Sequence, residues 1–306
     1  MSKVAIFPAA GNLASNTYKQ LVQIIDPTDL MLISRHPEKI PSEYLQKGVT
    51  TRKADYDLPE SLKHVFDGIS CLLLVHKKAI YAARYSTPGV EHIFYTSLAF
   101  GGECNPTSVA HVMQAHLKTE QYLKSLTSSA SQTSLTFTAI REGLYSESFP
   151  MYTGFFDLKA PQGEVKVPHD GSGPGIAWAK IADLGEATAN LVKTYMDSPE
   201  TFQDKNRILL LSGPKSWSIA DTLKVTAKVV SKEVKIKLIS VEEYANDPLI
   251  IEKLGSHGPG EVPKQWSTSF EAVKLGETEV VSGELRKWLG REPEGFEETV
   301  RAMVGA

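Results

Sequence analysis

The chain has 306 residues, 42% of them hydrophobic, and its formal net charge is −3. It can bury a sizeable core, and its charge balance gives no basic field that would attract nucleic acid or an anionic membrane. No apolar run approaches the roughly 20 residues of a membrane helix. Two cysteines, Cys71 and Cys104, offer neither a disulfide framework nor a metal-ligand spacing. We therefore expect a cytoplasmic protein that holds no metal and binds neither nucleic acid nor a membrane.

Short apolar runs alternate with helical patterns through the first half of the chain. The patterns predict helices over 15–25, 58–68, 77–86 and 108–126. They predict strands over 3–7, 29–35, 49–55, 69–75, 90–98 and 134–142. Strands that are apolar on both faces and separated by helices indicate a parallel sheet with helices on both sides. The predicted class is therefore α/β, with a doubly wound parallel sheet in residues 1–150.

The pattern becomes less regular after residue 142. A loop rich in proline and glycine spans 159–178, and helices are predicted over 180–197 and 218–231. Strands are predicted over 206–213 and 234–240, and short helices after them. We expect residues 151–306 to form a smaller C-terminal α/β lobe that binds substrate or a partner. Segments at about 178–213 are expected to return to the first sheet.

The first predicted strand runs into the turn "IFPAAGNLAS", residues 6–15. Dinucleotide-binding proteins place three glycines in such a turn, and here only Gly11 remains, with Pro8 and Ala14 at the outer positions. Proline fixes φ and removes an N–H, but the phosphate donors come mostly from the helix start, where the N–H groups survive. The turn alone is equally consistent with an ordinary strand-to-helix turn that binds nothing.

The second strand ends in "ISRHPEK", which changes this balance. Arg35 stands where the ribose of adenosine would lie, and the acidic residue typical of NAD sites is absent. The forked donors of arginine suit a 2′-phosphate, and Ser34, His36 and Lys39 could assist. The other interpretation is a solvated basic residue at a strand end. Combined with the turn, Arg35 favours NADP(H) as the cofactor, with NAD(H) as the second choice.

Several motifs follow one another as they do in one known family. They are "PAAGNLA", "ISRHPEK", "ADYDLPESL", "VEHIFYTSLAFGG", "HLKTEQYLKS", "TAIREGLYSES" and "ADLGEATA". Across nearly its whole length the chain resembles NmrA-like proteins, which are atypical short-chain dehydrogenases/reductases, and the fungal branch is the most similar. The resemblance implies a Rossmann-like domain with a C-terminal lobe that binds NADP(H) or NAD(H). Some members reduce quinones or small metabolites, whereas others are regulators that sense the nicotinamide redox state.

The resemblance also implies roles for individual residues. Those expected at the phosphates, the 2′-phosphate and the adenine are Gly11, Asn12, Leu13, Arg35, Asp55 and Tyr56. Those expected near the nicotinamide and its ribose are Thr96, Ser97, Lys118, Glu142, Gly143 and Tyr145.

Two features bear on catalysis. Ordinary short-chain dehydrogenases use a Tyr-x-x-x-Lys pair, but here Gln114 stands four residues before Lys118. Family members also carry a longer loop where this chain passes from Val75 almost directly into "KKAIYAA", either by a real shortening or through a gene-model error. Lys118 and Tyr145 remain the catalytic candidates.

Two functions follow from these observations. One is an NADP(H)-dependent oxidoreductase, acting as monomer or homodimer on a quinone, an enone or another small metabolite. The alternative is a non-catalytic NAD(P)-sensing regulator that acts through a protein partner.

Overall fold

A parallel sheet forms the framework of the computed structural model, which describes residues 3–74, 77–87, 89–127, 134–255 and 261–305. The strands are β1 (Val4–Phe7), β2 (Leu30–Ser34), β3 (Thr50–Lys53), β4 (Cys71–Leu74), β5 (His92–Leu98), β6 (Thr136–Glu142), β7 (Glu164–Val167), β8 (Arg207–Leu211) and β9 (Lys235–Leu238). Seven of them form one sheet in the order β3-β2-β1-β4-β5-β6-β8. Strand β1 lies between β2 and β4. From β1 the chain first adds strands on one side of the sheet and then on the other, and sheets of this kind bind ligands at the point where that order switches.

Eleven helices are present in the described residues. They are α1 (Asn12–Ile24), α2 (Ser42–Gln46), α3 (Lys77–Arg84), α4 (Gln114–Leu126), α5 (Ile181–Asp197), α6 (Ile219–Val229), α7 (Val241–Ala245), α8 (Pro248–Gly255), α9 (Val262–Lys274), α10 (Glu284–Leu289) and α11 (Phe296–Val304). The predicted α/β class and the Rossmann-like parallel sheet are confirmed. In the part of the chain that the structure describes, no helix combines the length and the apolar composition needed to cross a membrane.

The contacts divide the chain into two units, each assembled from three segments. The first unit contains residues 1–97, 118–141 and 181–209, and the second contains 98–117, 142–180 and 210–306. The predicted domains, 1–150 and 151–306, have one boundary, whereas the contacts assign 98–117 to the second unit and 181–209 to the first.

Each unit has its own apolar core. In the first, Phe7 and Phe66 pack edge to face beneath the sheet, and helices α1 and α5 lie against each other. The approach of these helices depends on Gly185, because a Cβ there would stand 2.6 Å from the Asn16 Cβ. In the second, Trp178 stacks on Phe296 beside the parallel pair β7–β9.

The predicted helix over 58–68 is wrong. Only the short 3-10 segment Pro59–Leu62 forms there, and turns follow it. His64 has a φ of +59°, which a right-handed helix does not allow. The guanidinium of Arg52 also binds the carbonyl oxygens of Val65 and Asp67, at 2.7 and 2.9 Å, so a tertiary contact takes the place of helical hydrogen bonds.

Candidate functional site

The turn after β1 has the backbone geometry of an anion-binding turn. Gly11 precedes α1 with a φ of +96°, a region that favours glycine, and a side chain at this position would point into open space. The Ala9 N–H donates to the Ile33 carbonyl at 2.7 Å, which ties the turn to β2. The helix begins at Asn12, three residues before the predicted start. Pro8 at the first position of the turn therefore does not prevent the helix from forming directly after Gly11.

The first turn of α1 has backbone donors without partners inside the helix. The N–H groups of the first turn, at Asn12, Leu13 and Ala14, have no preceding turn of helix to bind. Gly11, at the cap position, forms no side-chain cap to these N–H groups, and Ser15 Oγ and Asn16 Nδ2 donate to the Asn12 carbonyl, at 2.9 and 2.8 Å. The first turn also holds no acidic residue. This end of the helix therefore presents a partial positive charge suited to phosphate.

A cavity of about 580 Å³ joins this turn to the end of β2. Four residues predicted to bind the cofactor line it together: Gly11, Asn12, Arg35 and Tyr56. Its wall also includes His36 and Lys39. Backbone donors and cationic side chains thus face one space within the first unit.

Arg35 is an exposed cationic side chain in the wall of this cavity. Its side chain is 55% exposed, and its Nη1 lies 4.0 Å from Oδ2 of Asp55, which is beyond hydrogen-bonding distance. His36, beside it, lies with Nδ1 3.0 Å from Oε1 of Glu38. Asp55 and Leu13, the two other residues predicted on this side, do not line the cavity. Asp55 lies beside Arg35, which does line it, and Leu13 belongs to the first turn of α1.

The three other candidates of the first unit occupy different environments. Thr96 and Ser97 are buried near the end of β5, whereas Lys118 is exposed on α4. The Ser97 hydroxyl donates to Oε1 of Glu120 at 2.7 Å. Ser97 therefore keeps only its lone pairs for a ligand.

Glu120, which accepts the hydrogen bond from Ser97, forms a buried ion pair that the sequence did not indicate. Arg141 donates to Glu120 through Nε at 3.0 Å and through Nη2 at 2.8 Å, and both side chains are almost entirely buried. This bidentate pair links β6 to α4 and, through Ser97, to β5. The available signal was one arginine at the end of a predicted apolar strand and one glutamate in a predicted helix, but spacing alone could not pair them.

The remaining candidates belong to the second unit. Glu142 is buried, and its carbonyl accepts a hydrogen bond from the Ala99 N–H at 3.0 Å. Gly143 has a packing role, because a Cβ would lie 2.6 Å from the Leu211 carbonyl oxygen.

Tyr145 has the opposite electrostatics to the tyrosine of an ordinary short-chain dehydrogenase. Burial raises its pKa, and the carboxylates of Glu142 and Glu147 raise it further. The phenol is therefore protonated at neutral pH, so it cannot act as a phenolate base, and the same shift makes it a weaker acid than an ordinary tyrosine.

Two further features of the sequence bear on catalysis. Gln114, at the position of the missing tyrosine, donates through Nε2 to the carbonyls of Ser108 and Ala110, at 2.8 and 3.2 Å. The shortened connection at Val75 and His76 lies outside the described residues.

The buried pair makes a testable prediction about stability. Replacing Arg141 by Met leaves the Glu120 charge buried without its partner, so the free energy of unfolding should fall by about 3–5 kcal/mol. Urea unfolding would measure this, and the further change Glu120→Gln should restore much of the loss. Lys63→Met, which breaks an exposed pair with Glu60, is the control and should leave the unfolding midpoint unchanged. An equally small effect for Arg141→Met would contradict the assignment.

The chain is similar to several reductases along almost its whole length. No family model matches the chain. It is 27% identical to the NmrA-like family domain-containing oxidoreductase flvB of Aspergillus flavus, over 97% of this chain and 93% of that protein. Among solved structures, one similar protein is the NADPH-dependent quinone oxidoreductase QOR2 of Escherichia coli, complexed with NADPH. The TM-score is 0.77 at 23% identity, and the match covers 98% of this chain and 99% of that chain. The triphenylmethane reductase of Citrobacter sp. has a TM-score of 0.76 at 22% identity, and the match covers 99% of this chain and 100% of that chain. The fold is therefore that of these reductases, and the resemblance to the NmrA-like family inferred from the sequence motifs is confirmed along almost the entire chain.

Proposed function

We propose that the protein is an NADP(H)-dependent oxidoreductase that reduces a quinone, an enone or another small metabolite. The observation that carries this proposal is the cavity that joins the start of α1 to Arg35. One end of it supplies backbone N–H groups for a pyrophosphate, and the other supplies a cation for a 2′-phosphate. NAD(H) remains the second choice, because it lacks the group that Arg35 would bind.

The residues of the cavity fit such a cofactor. The open space above Gly11 allows a phosphate to approach the backbone closely. Among the described residues, no hydrogen bond occupies the guanidinium of Arg35, whose nearest acid lies at 4.0 Å. Its donors can therefore turn to a phosphate without first breaking a contact. Tyr56, partly buried in the wall, supplies an aromatic surface on the adenine side.

The proposed chemistry asks little of the protein. A bound nicotinamide supplies the hydride. Tyr145 is the proton donor in this proposal, and its raised pKa makes it a weaker acid than an ordinary tyrosine. Lys118 carries a positive charge suited to ribose hydroxyls. A quinone requires little acid catalysis, because its reduced oxyanion is well stabilised and water can protonate it. The lack of a Tyr-x-x-x-Lys pair is thus compatible with reduction of this substrate class.

The names of the similar proteins support this substrate class. One is called an NADPH-dependent quinone oxidoreductase, and another is a reductase of triphenylmethane dyes. Both names describe conjugated acceptors, and the similar fungal protein is called an oxidoreductase.

The alternative is a non-catalytic regulator that senses NADP(H) and signals through a protein partner. The engagement of the Gln114 amide with two backbone carbonyls favours it, because no general acid stands at the position where the ordinary catalytic tyrosine would be. Cofactor binding is common to both functions, so turnover must separate them.

Replacing Arg35 tests the cofactor assignment. Arg35→Ala should weaken NADPH binding roughly tenfold or more and leave NADH binding nearly unchanged, because only NADPH carries the 2′-phosphate. Titration of NADPH and NADH followed by fluorescence would measure both dissociation constants. Arg286→Ala, which removes an arginine paired with Glu292 in the second unit, is the matched control. An equal loss for the two cofactors would refute the assigned role.

Turnover distinguishes the enzyme from the sensor. We expect steady oxidation of NADPH with at least one member of a panel of quinones and enones, followed by the absorbance of the nicotinamide. Tyr145→Phe should lower the rate most with enones, which need a proton more than quinones do. Tight NADPH binding without turnover on the whole panel would instead favour the regulator.

A further inference from the structure

Asp55 is the carboxylate nearest to the proposed 2′-phosphate arginine. Its Oδ2 lies 4.0 Å from Nη1 of Arg35, and its side chain is 22% exposed. A carboxylate at this distance attracts the guanidinium, and it also repels any anion that the guanidinium binds. Asp55 therefore bears on the choice between cofactors with and without the phosphate.

The position of the Asp55 charge is fixed by its own surroundings. Its Oδ1 accepts a hydrogen bond from the Asp57 N–H at 2.9 Å. Its backbone N–H donates to Ser61 Oγ at 2.8 Å, and its carbonyl accepts from the same hydroxyl at 2.8 Å. The carboxylate cannot move away when an anion arrives without breaking this turn.

Arg35, in contrast, is attracted by Asp55 but not oriented by it. The 4.0 Å separation exceeds a hydrogen bond, and no residue that the structure describes accepts a hydrogen bond from this guanidinium. Removing the carboxylate charge would thus break no hydrogen bond that holds the Arg35 side chain in one orientation. It would remove a competitor for the guanidinium and a source of repulsion for the phosphate.

Among the described residues, neither Lys39 nor His36 forms an ion pair with Asp55. Lys39 lines the cavity, but no ion pair joins it to an acid among the described residues. His36 is occupied by Glu38 at 3.0 Å. Asp55 is therefore the acid whose charge acts directly on Arg35.

We propose that Asp55 is a specificity-determining residue that limits the preference of this cavity for 2′-phosphorylated dinucleotides. The proposal rests on the proposed function, because it assumes that Arg35 receives the 2′-phosphate. With Asp55 present, the cavity binds the phosphorylated ligand less strongly than its cations alone would allow. Dinucleotides without the phosphate then remain competitive.

The test compares two adenine nucleotides that differ only in the 2′-phosphate. Adenosine 2′,5′-bisphosphate and 5′-AMP both occupy the adenosine side, so any contact of Asp55 with adenine affects them equally. Asp55→Asn keeps an acceptor for the Asp57 N–H and removes the charge. The ratio of the two dissociation constants, measured by calorimetry, should shift about three- to tenfold in favour of the bisphosphate. Raising the salt concentration should reduce that shift.

Controls make the outcome specific to this carboxylate. Glu60→Gln removes the same charge from an exposed pair with Lys63 and should leave the ratio unchanged. If Asp55→Asn folds poorly, Asp55→Ser is a second neutral variant for the same test, and it should shift the ratio in the same direction. An unchanged ratio, or one shifted towards 5′-AMP, would overturn the inference while the wild type still binds the bisphosphate. If the wild type binds neither nucleotide nor NADPH, the proposed function fails as well.

Discussion

The left-handed backbone of Gly11 is the constraint on which the candidate site depends. Its φ of +96° turns the chain from the end of β1 into the first turn of α1, and the absence of a side chain leaves the space above the turn open. The two outer positions of the glycine fingerprint tolerate replacement here. Ala14 is buried on α1, where a methyl group fits, and Pro8 lies in the cavity wall. The middle glycine alone keeps the positive φ and the open space above the turn.

Two arginines of the first unit differ in the hydrogen bonds that their guanidinium groups make. Arg141 is fully buried and binds Glu120 in a bidentate pair, so its donors are satisfied within the protein. Arg35 is half exposed, and its acid stands 4.0 Å away, so its donors remain for a ligand. Burying an ion pair is worthwhile only with such complete hydrogen bonding, whereas an open pair contributes little to stability. The looser arrangement is the one expected of a guanidinium that must exchange partners.

Much of the framework could be predicted from sequence, because buried parallel strands leave a strong pattern of apolar runs. The turn at Gly11 and the position of Arg35 after β2 were also predictable, since both depend on local sequence next to a strand. The false helix over 58–68 arose because His64 adopts a positive φ and Arg52 binds carbonyls of that segment, and neither is visible in local spacing. The Glu120–Arg141 pair joins residues far apart in the sequence, so only the folded chain reveals it. The raised pKa of Tyr145 likewise depends on burial that the sequence pattern does not contain.

The central claim is that the cavity between the start of α1 and Arg35 binds the phosphates of NADP(H). A crystal structure of the protein with NADPH tests it most directly. We expect the pyrophosphate at the N–H groups of Asn12 and Leu13 and the 2′-phosphate within hydrogen-bonding distance of the Arg35 guanidinium. A dinucleotide bound elsewhere, or one in this cavity with its 2′-phosphate directed away from Arg35, would contradict it.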